Sequence, residues 1–331
     1  MLERLFPRMV LIVLAIAAGV AFFIGILGAA LRHDSAGDVF LSGLEAMILT
    51  FVGGLLARSF ISILLWTGRD DPNVSYILGW AFFLWPGAFD LVPRLLGKQF
   101  ATKPIVLLWM ATSVGALTGM FDGMWQTHAW VGAGVPAFVL DETWGLNGTT
   151  QAGLLHIVNF AWGDHVVGET RTDAHRYKSG FAVKPGFAFT EGSVMSSNTQ
   201  PQGSPLFSHE NTHVWQNRGF GPFFILSYIS WLIIMLIPGL IVGAASGAVG
   251  TGITALTYFD QPWEVWGYAV QGANRATIAG SSIGIMPDAL CVILGILFWG
   301  LLLALAIRAM YRAWSKARSE TVRSVVAAPT G

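Results

Sequence analysis

Residues 222–256 read PFFILSYISWLIIMLIPGLIVGAASGAVGTGITAL, a long apolar stretch broken at Pro238-Gly239. A helix needs about 20 apolar residues to cross the hydrocarbon core of a bilayer. The stretch is long enough for one crossing, and its Pro-Gly break opens a second path. If Pro238-Gly239 is the tip of a hairpin, the chain returns to the side it came from. Each arm is then about 16–18 residues, or roughly 24–27 Å of helix. That is slightly short for a ~30 Å core, but irregular backbone is tolerated at membrane depth where protein buries it. The first half is bulky, with Phe223, Phe224, Ile225, Trp231 and Leu232. The second half spaces Gly239, Gly243 and Gly247 four apart, which lets another helix backbone approach closely.

The rest of the chain has the same character. Of 331 residues 54% are hydrophobic and only 11% charged, against roughly 25% charged in an average soluble domain. Aromatics at 13% exclude a disordered chain. Nineteen basic residues balance nineteen acidic ones, which leaves no global field for nucleic acid as a partner. The one cysteine, Cys291, lies in an apolar run, so neither a disulfide framework nor a cysteine zinc site is available. Upstream, Met9 to Leu31 follows Arg4 and Arg8 and exceeds the 7–15 apolar residues of a secretory signal, so it reads as a retained helix. Further runs cover Val39 to Trp66, Tyr76 to Leu96 (interrupted by Pro86, Asp90 and Pro93), Pro104 to Trp125, and Pro287 to Tyr311.

The expected fold is an α-helical polytopic membrane protein of about six or seven apolar segments, with one small mixed α/β soluble domain. The divisions are a four-helix membrane region over 1–125, the soluble domain over 126–218, and a membrane helix or hairpin over 219–256. A polar segment over 257–283, a last helix over 284–312 and a basic tail over 313–331 follow. Basic residues at both ends, among them Arg312, Lys316, Arg318 and Arg323 in the tail, place both termini in the cytoplasm by the positive-inside rule. That rule asks for an even number of crossings; a single crossing by 222–256 gives six, and the hairpin gives seven.

Within 126–218, Phe181-Ala182-Val183 and Phe187-Ala188-Phe189 flank Lys184-Pro185-Gly186, a β-hairpin pattern. Thr149 to Phe160 reads as a helix. The chemistry lies in His209-Glu210-Asn211-Thr212-His213. On a helix, residues four apart share a face, so both imidazoles reach one metal ion. Glu210, beside that face, can take a proton from a water attacking a carbonyl. Ser204 can cap the helix, Pro205 suits its first turn, and Gly219 supplies a stop. Seven histidines and eight glutamates in the chain give this pattern by chance about 0.4% of the time, which favours a zinc site over two hydrogen-bonded surface histidines.

His209-Glu210-Asn211-Thr212-His213 resembles the HExxH signature of the zincin metallopeptidases. With Val214-Trp215-Gln216 it is similar to bacterial membrane proteins that carry an HExxHVxQ motif. The resemblance implies Zn2+ as cofactor and a multi-pass protein of a bacterial cytoplasmic membrane, acting on a peptide or membrane-protein substrate. In the gluzincin branch the third ligand is a glutamate on a later helix, and Glu264 is the position that matches. Metzincins place a third histidine downstream, and no histidine follows His213. Tyr268, one turn after Glu264, and His165 are candidates for polarising the carbonyl. Asp122 ranks below Glu264 as a ligand, and Glu169 and Glu191 read as solvated carboxylates. Zincins bind an extended peptide on an edge strand above the metal, a role open to the hairpin near Pro185. Glu264 lies beyond 222–256, so only the hairpin path lets it join His209 and His213.

Glu45, Arg58, Asp90, Arg94, Asp122 and Asp288 fall in or at the ends of apolar runs. Such charges need partners or mark a pathway. Two further functions therefore stay open beside a zinc metallopeptidase. One is a catalytically silent binding or assembly subunit with the zinc motif; the other is a transporter-like protein.

Overall fold

The computed structural model describes residues 7–67, 71–98, 102–166, 169–183 and 186–326, with side chains described to Ser319. It is mostly helical. Among the described residues five helices are long and apolar enough to cross a membrane: Arg8–Arg32, Ala36–Thr67, Pro104–Trp125, Phe224–Ala245 and Asp288–Ser319. Five of the six or seven apolar segments expected appear as single long helices among the described residues; the run from Tyr76 to Leu96 is not one helix. It divides into α3 (Pro72–Leu78), a π-helical turn (Gly79–Phe83) and α4 (Trp85–Leu95). The break falls at Leu84, whose φ of 64° precedes Trp85-Pro86. Pro86 has no N–H to continue the ladder. Side chains of α7 (Leu146–Trp162) take up the freed carbonyls, with Asn147 donating to Ala81 O (2.6 Å) and Thr150 to Phe82 O (3.2 Å). The segment that carries α7 is thereby joined to the apolar helices.

Helices α1 (Arg8–Arg32), α2 (Ala36–Thr67) and α5 (Pro104–Trp125) pack together. Gly53 and Gly115 face each other so closely that a Cβ on either would strike the other's carbonyl. The charges in these runs are paired. Arg171 and Trp130 bond Glu45 (2.8 and 2.7 Å), Arg94 reaches Asp90 (3.2 Å), and Arg275 reaches Asp288 (2.6 Å). Arg58 donates to Leu108 O and Thr112 Oγ1, both at 3.3 Å.

The insert holds α6 (Gly134–Asp141), α7, a small sheet and α8 (Pro205–Phe220). The sheet has the order β1-β3-β2, where β1 is His175–Arg176, β2 Phe189–Glu191 and β3 Val194–Ser196. β1 runs parallel to β3 and β2 antiparallel, with Glu191 opposite Val194. The hairpin thus turns at Gly192, whose φ is 53°, and not at Lys184-Pro185-Gly186. Phe181 to Val183 forms no strand; its first N–H bonds the Asn159 side chain instead (2.8 Å). Lys184 and Pro185 lie outside the described residues.

The decisive stretch does double back, though not at Pro238. Helices α9 (Phe224–Ile234) and α10 (Leu236–Ala245) continue one another, and Pro238 costs only the bond that would reach Ile234 O. The chain reverses at Ser246–Ala248, where Gly247 has φ 71°. It returns through α11 (Val249–Thr254) and a second π-helical turn (Ala255–Phe259). Gly239 and Gly243 lie against the backbone of Val249, Gly252 and Ile253 with no room for a Cβ. The glycine spacing therefore serves contact with the chain's own returning limb, and Gly247 forms the turn. Trp231 Nε1 donates to Leu256 O (3.0 Å), tying the limbs together. Beyond lie α12 (Pro262–Gln271), α13 (Arg275–Ala279) and α14 (Asp288–Val326).

Candidate metal centre

The returning limb delivers α12 against α8. Each helix starts on a side-chain cap. Ser204 Oγ accepts the N–H of Phe207 (3.2 Å), and Gln261 Oε1 accepts those of Trp263 and Glu264 (2.6 and 3.0 Å). Pro205 and Pro262 occupy the first turns, where their missing N–H groups cost nothing. α8 runs past Gly219 and stops at Gly221, whose φ is 50°. Gly267 sits beneath the His209 ring, where a Cβ would come within 2.8–3.0 Å of three imidazole atoms. A side chain there would push His209 away from α12.

His209, His213 and Glu264 are brought together, with one ligand atom from each inside a 4.8 Å span. His209 Nε2 lies 3.2 Å from Glu264 Oε2, and His213 Nε2 lies 3.1 Å from His209 Nε2 and 3.5 Å from Glu264 Oε1. All three side chains are buried. Burial works to lower the His213 pKa, but the Glu264 carboxylate and Glu210 outweigh it and push it up to about 9. Burial likewise works to raise Glu264, and the two imidazoles overcome it, holding the carboxyl well below its ordinary range. A proton thus balances the charge between these groups.

The surrounding bonds point the lone pairs inward. Gln216 Nε2 donates to Trp263 O (3.0 Å), which turns its Oε1 toward His213 Nδ1 (2.9 Å). Nδ1 is then the donor and Nε2 faces the other two ligands. Tyr228, on α9, donates to Glu264 Oε1 (2.8 Å). Two imidazole nitrogens and a carboxylate converging in a buried site, with His213 and Glu264 oriented by second partners, form a donor set that suits a zinc ion.

His213 and Glu264 line a cavity of about 550 Å³. Glu210 faces it and accepts a hydrogen bond from Thr190 of β2 (2.6 Å). Glu191 also lines it, and burial raises its carboxyl to about 8 against the opposing pull of His213. Tyr258 is on the wall, and the Tyr268 ring stands edge-on to His209 at 4.7 Å.

His165 is not brought to this site. Its ring packs 4.2 Å from Trp125 and 6.4 Å from His175, and its backbone bridges Tyr177. Asp122 faces His128 (3.4 Å), and Glu169 bonds Arg176 (2.8 Å). Sequence reasoning missed Thr190, Tyr228, Tyr258 and Gly267; only Gly267 had a nearby signal, one residue before Tyr268. Comparison with protein-family models, curated proteins and solved structures finds no match.

Proposed function

We propose that the protein is a multi-pass membrane zinc metallopeptidase. The observation that carries this is the convergence of His209, His213 and Glu264 beside a cavity into which Glu210 projects. Zinc in such a site supplies Lewis acidity and a water acidified toward neutral pH. His209, His213 and Glu264 hold the ion, while Gln216 and Tyr228 keep two of them in register. Glu210 takes the proton of the attacking water and passes it to the leaving amine. Tyr258 lines the same cavity and can donate its hydroxyl to a polarised carbonyl oxygen. β2 is an edge strand, so its free backbone groups can bind an extended peptide.

Metal analysis and peptide cleavage on the purified protein test this. One zinc per chain and a Glu210→Gln variant that keeps zinc but loses about 10²–10⁴ in kcat are expected. Absence of zinc from the wild-type protein overturns the proposal. Zinc with no cleavage by the wild type would point to a silent binding subunit.

A further inference from the structure

The cavity beside Glu210 continues away from the three ligands along α9. Tyr228, bonded to Glu264, lies one turn into the apolar run that begins at Phe224, and Ile225, Ile229 and Leu232 extend the wall. Leu232 is eight residues past Phe224, about 12 Å along the helix. Thr254, Thr257 and Tyr258 of the returning limb form the facing wall, and Val183, Phe187 and β2 form a third. At the rim Val183 is 72% exposed, and beside Leu232 the α9 residues Ile233 and Ile234 are 67% and 56% exposed. The mouth therefore opens on the apolar flank of a helix long enough to cross a membrane.

Two features select the occupant. Beyond the ligands the α9 wall is apolar, formed by Ile225, Ile229 and Leu232, and so suits apolar side chains of an occupant. One wall is the edge strand β2, whose outer N–H and C=O groups can bond a polypeptide backbone but not an acyl chain.

We infer that the cavity takes its substrate laterally from the bilayer. The substrate is the apolar end of a membrane-anchored polypeptide, extended along β2 with its side chains against Ile225, Ile229 and Leu232. The cut itself rests on the peptidase proposal; the entry route does not. A bond at the metal site then lies about one helical turn inside the end of the span, so the segment must unwind locally to reach it.

The test uses the full chain carrying Glu210→Gln in phosphatidylcholine vesicles, with the photo-crosslinking residue p-benzoylphenylalanine replacing Leu232. A second protein carries it at Ile237, which is exposed on the same flank but does not line the cavity. The probes are a synthetic peptide of about 20 apolar residues with a short extended tail, and the tail alone. Crosslinking of the anchored peptide at 232, roughly tenfold above the tail alone and above position 237, is expected. Equal yields at 232 and 237, equal yields of the two probes, or crosslinks to phosphatidylcholine only overturn the entry route. Wild-type protein incubated with both peptides reports on the other proposal separately. Crosslinking without cleavage of either peptide leaves the route standing and removes the peptidase. Cleavage of the free tail without crosslinking at 232 does the reverse.

Discussion

At its C-terminal end α8 carries Arg218, which donates to both oxygens of Asp141 (2.8 and 2.7 Å) and to Asp173 O (2.6 Å). His128 stands between Asp141 and Asp122, at 3.1 and 3.4 Å. About one and a half to two and a half turns earlier on the same helix, His213 and His209 face Glu264, whose ion pairs among the described residues are with these two imidazoles alone. Both clusters are buried, and both must balance charge out of reach of water. At Asp141 burial works to raise the carboxyl, but a permanent guanidinium overcomes it and holds it low. At Glu264 the balancing charge is a proton on an imidazole, which a divalent cation can replace. A buried cluster that carries its own arginine is closed to a ligand. One that converges acceptors on a shared proton is built to exchange it.

If the arginine cluster is structural, removing its cation should cost far more in stability than any change at the other end of the helix. Arg218→Met leaves Asp141 buried without its partner and is expected to destabilise the protein by about 3–5 kcal/mol. Thermal unfolding in detergent, with Asp141→Leu added in a double variant that recovers much of the loss, checks this. A single variant within about 1 kcal/mol of wild type would remove the contrast.

A third group of histidines carries no balancing charge and sharpens the comparison by pH. His156 stacks on Phe121 (4.5 Å between ring centres), with Nδ1 3.1 Å from the Tyr177 hydroxyl. Burial lowers its pKa to about 3. Its folded pKa lies below its unfolded value near 6.5, so its contribution is complete above pH 6.5. That contribution is lost as pH falls from there toward 3. By pH 4.5 the expected loss is about 2–3 kcal/mol. A His156→Phe variant should show a shallower acid limb of stability against pH; identical limbs would mean the imidazole is hydrated.

What could be read from the chain alone follows the range of the forces involved. The helix with His209 and His213 is set by neighbours in sequence, Ser204 and Pro205 at one end and a glycine at the other, so it was legible to within two residues. Glu264 joins it only because the chain reverses at Gly247. The stronger local signal, Pro238-Gly239, pointed elsewhere, because in a long apolar run a proline removes one hydrogen bond without ending the helix. Gly239 and Gly243 announced a close contact but not that the partner was the next limb. Pro185-Gly186 is the stronger local turn signal, whereas Gly192 closes the turn that the sheet register requires. Tyr228 and Thr190 looked like ordinary apolar-run and strand residues, and nothing local shows that they touch Glu264 and Glu210. His165 fitted by residue type alone, and its position against Trp125 is a matter of tertiary packing.

Gln216 is where the two clusters can be compared most finely, since it lies between His213 and Arg218 on one helix and bears no charge. It holds the imidazole only by orientation, with Trp263 O fixing its amide and its Oε1 fixing Nδ1 of His213. Gln216→Leu keeps the helix and the ligand set but frees the tautomer. Partners of this kind are worth about 10–100-fold in metal affinity, so zinc should bind the leucine variant more weakly by that factor, with little change in unfolding temperature. Gln216→Glu keeps an acceptor for Nδ1 but loses the N–H that Trp263 O accepts, so its affinity should fall between those of the leucine variant and the wild type. Competition against a chelator at fixed pH reads both. If leucine and glutamate bind zinc alike, the orientation of His213 comes from packing against α12, and the hydrogen bond is incidental to the site.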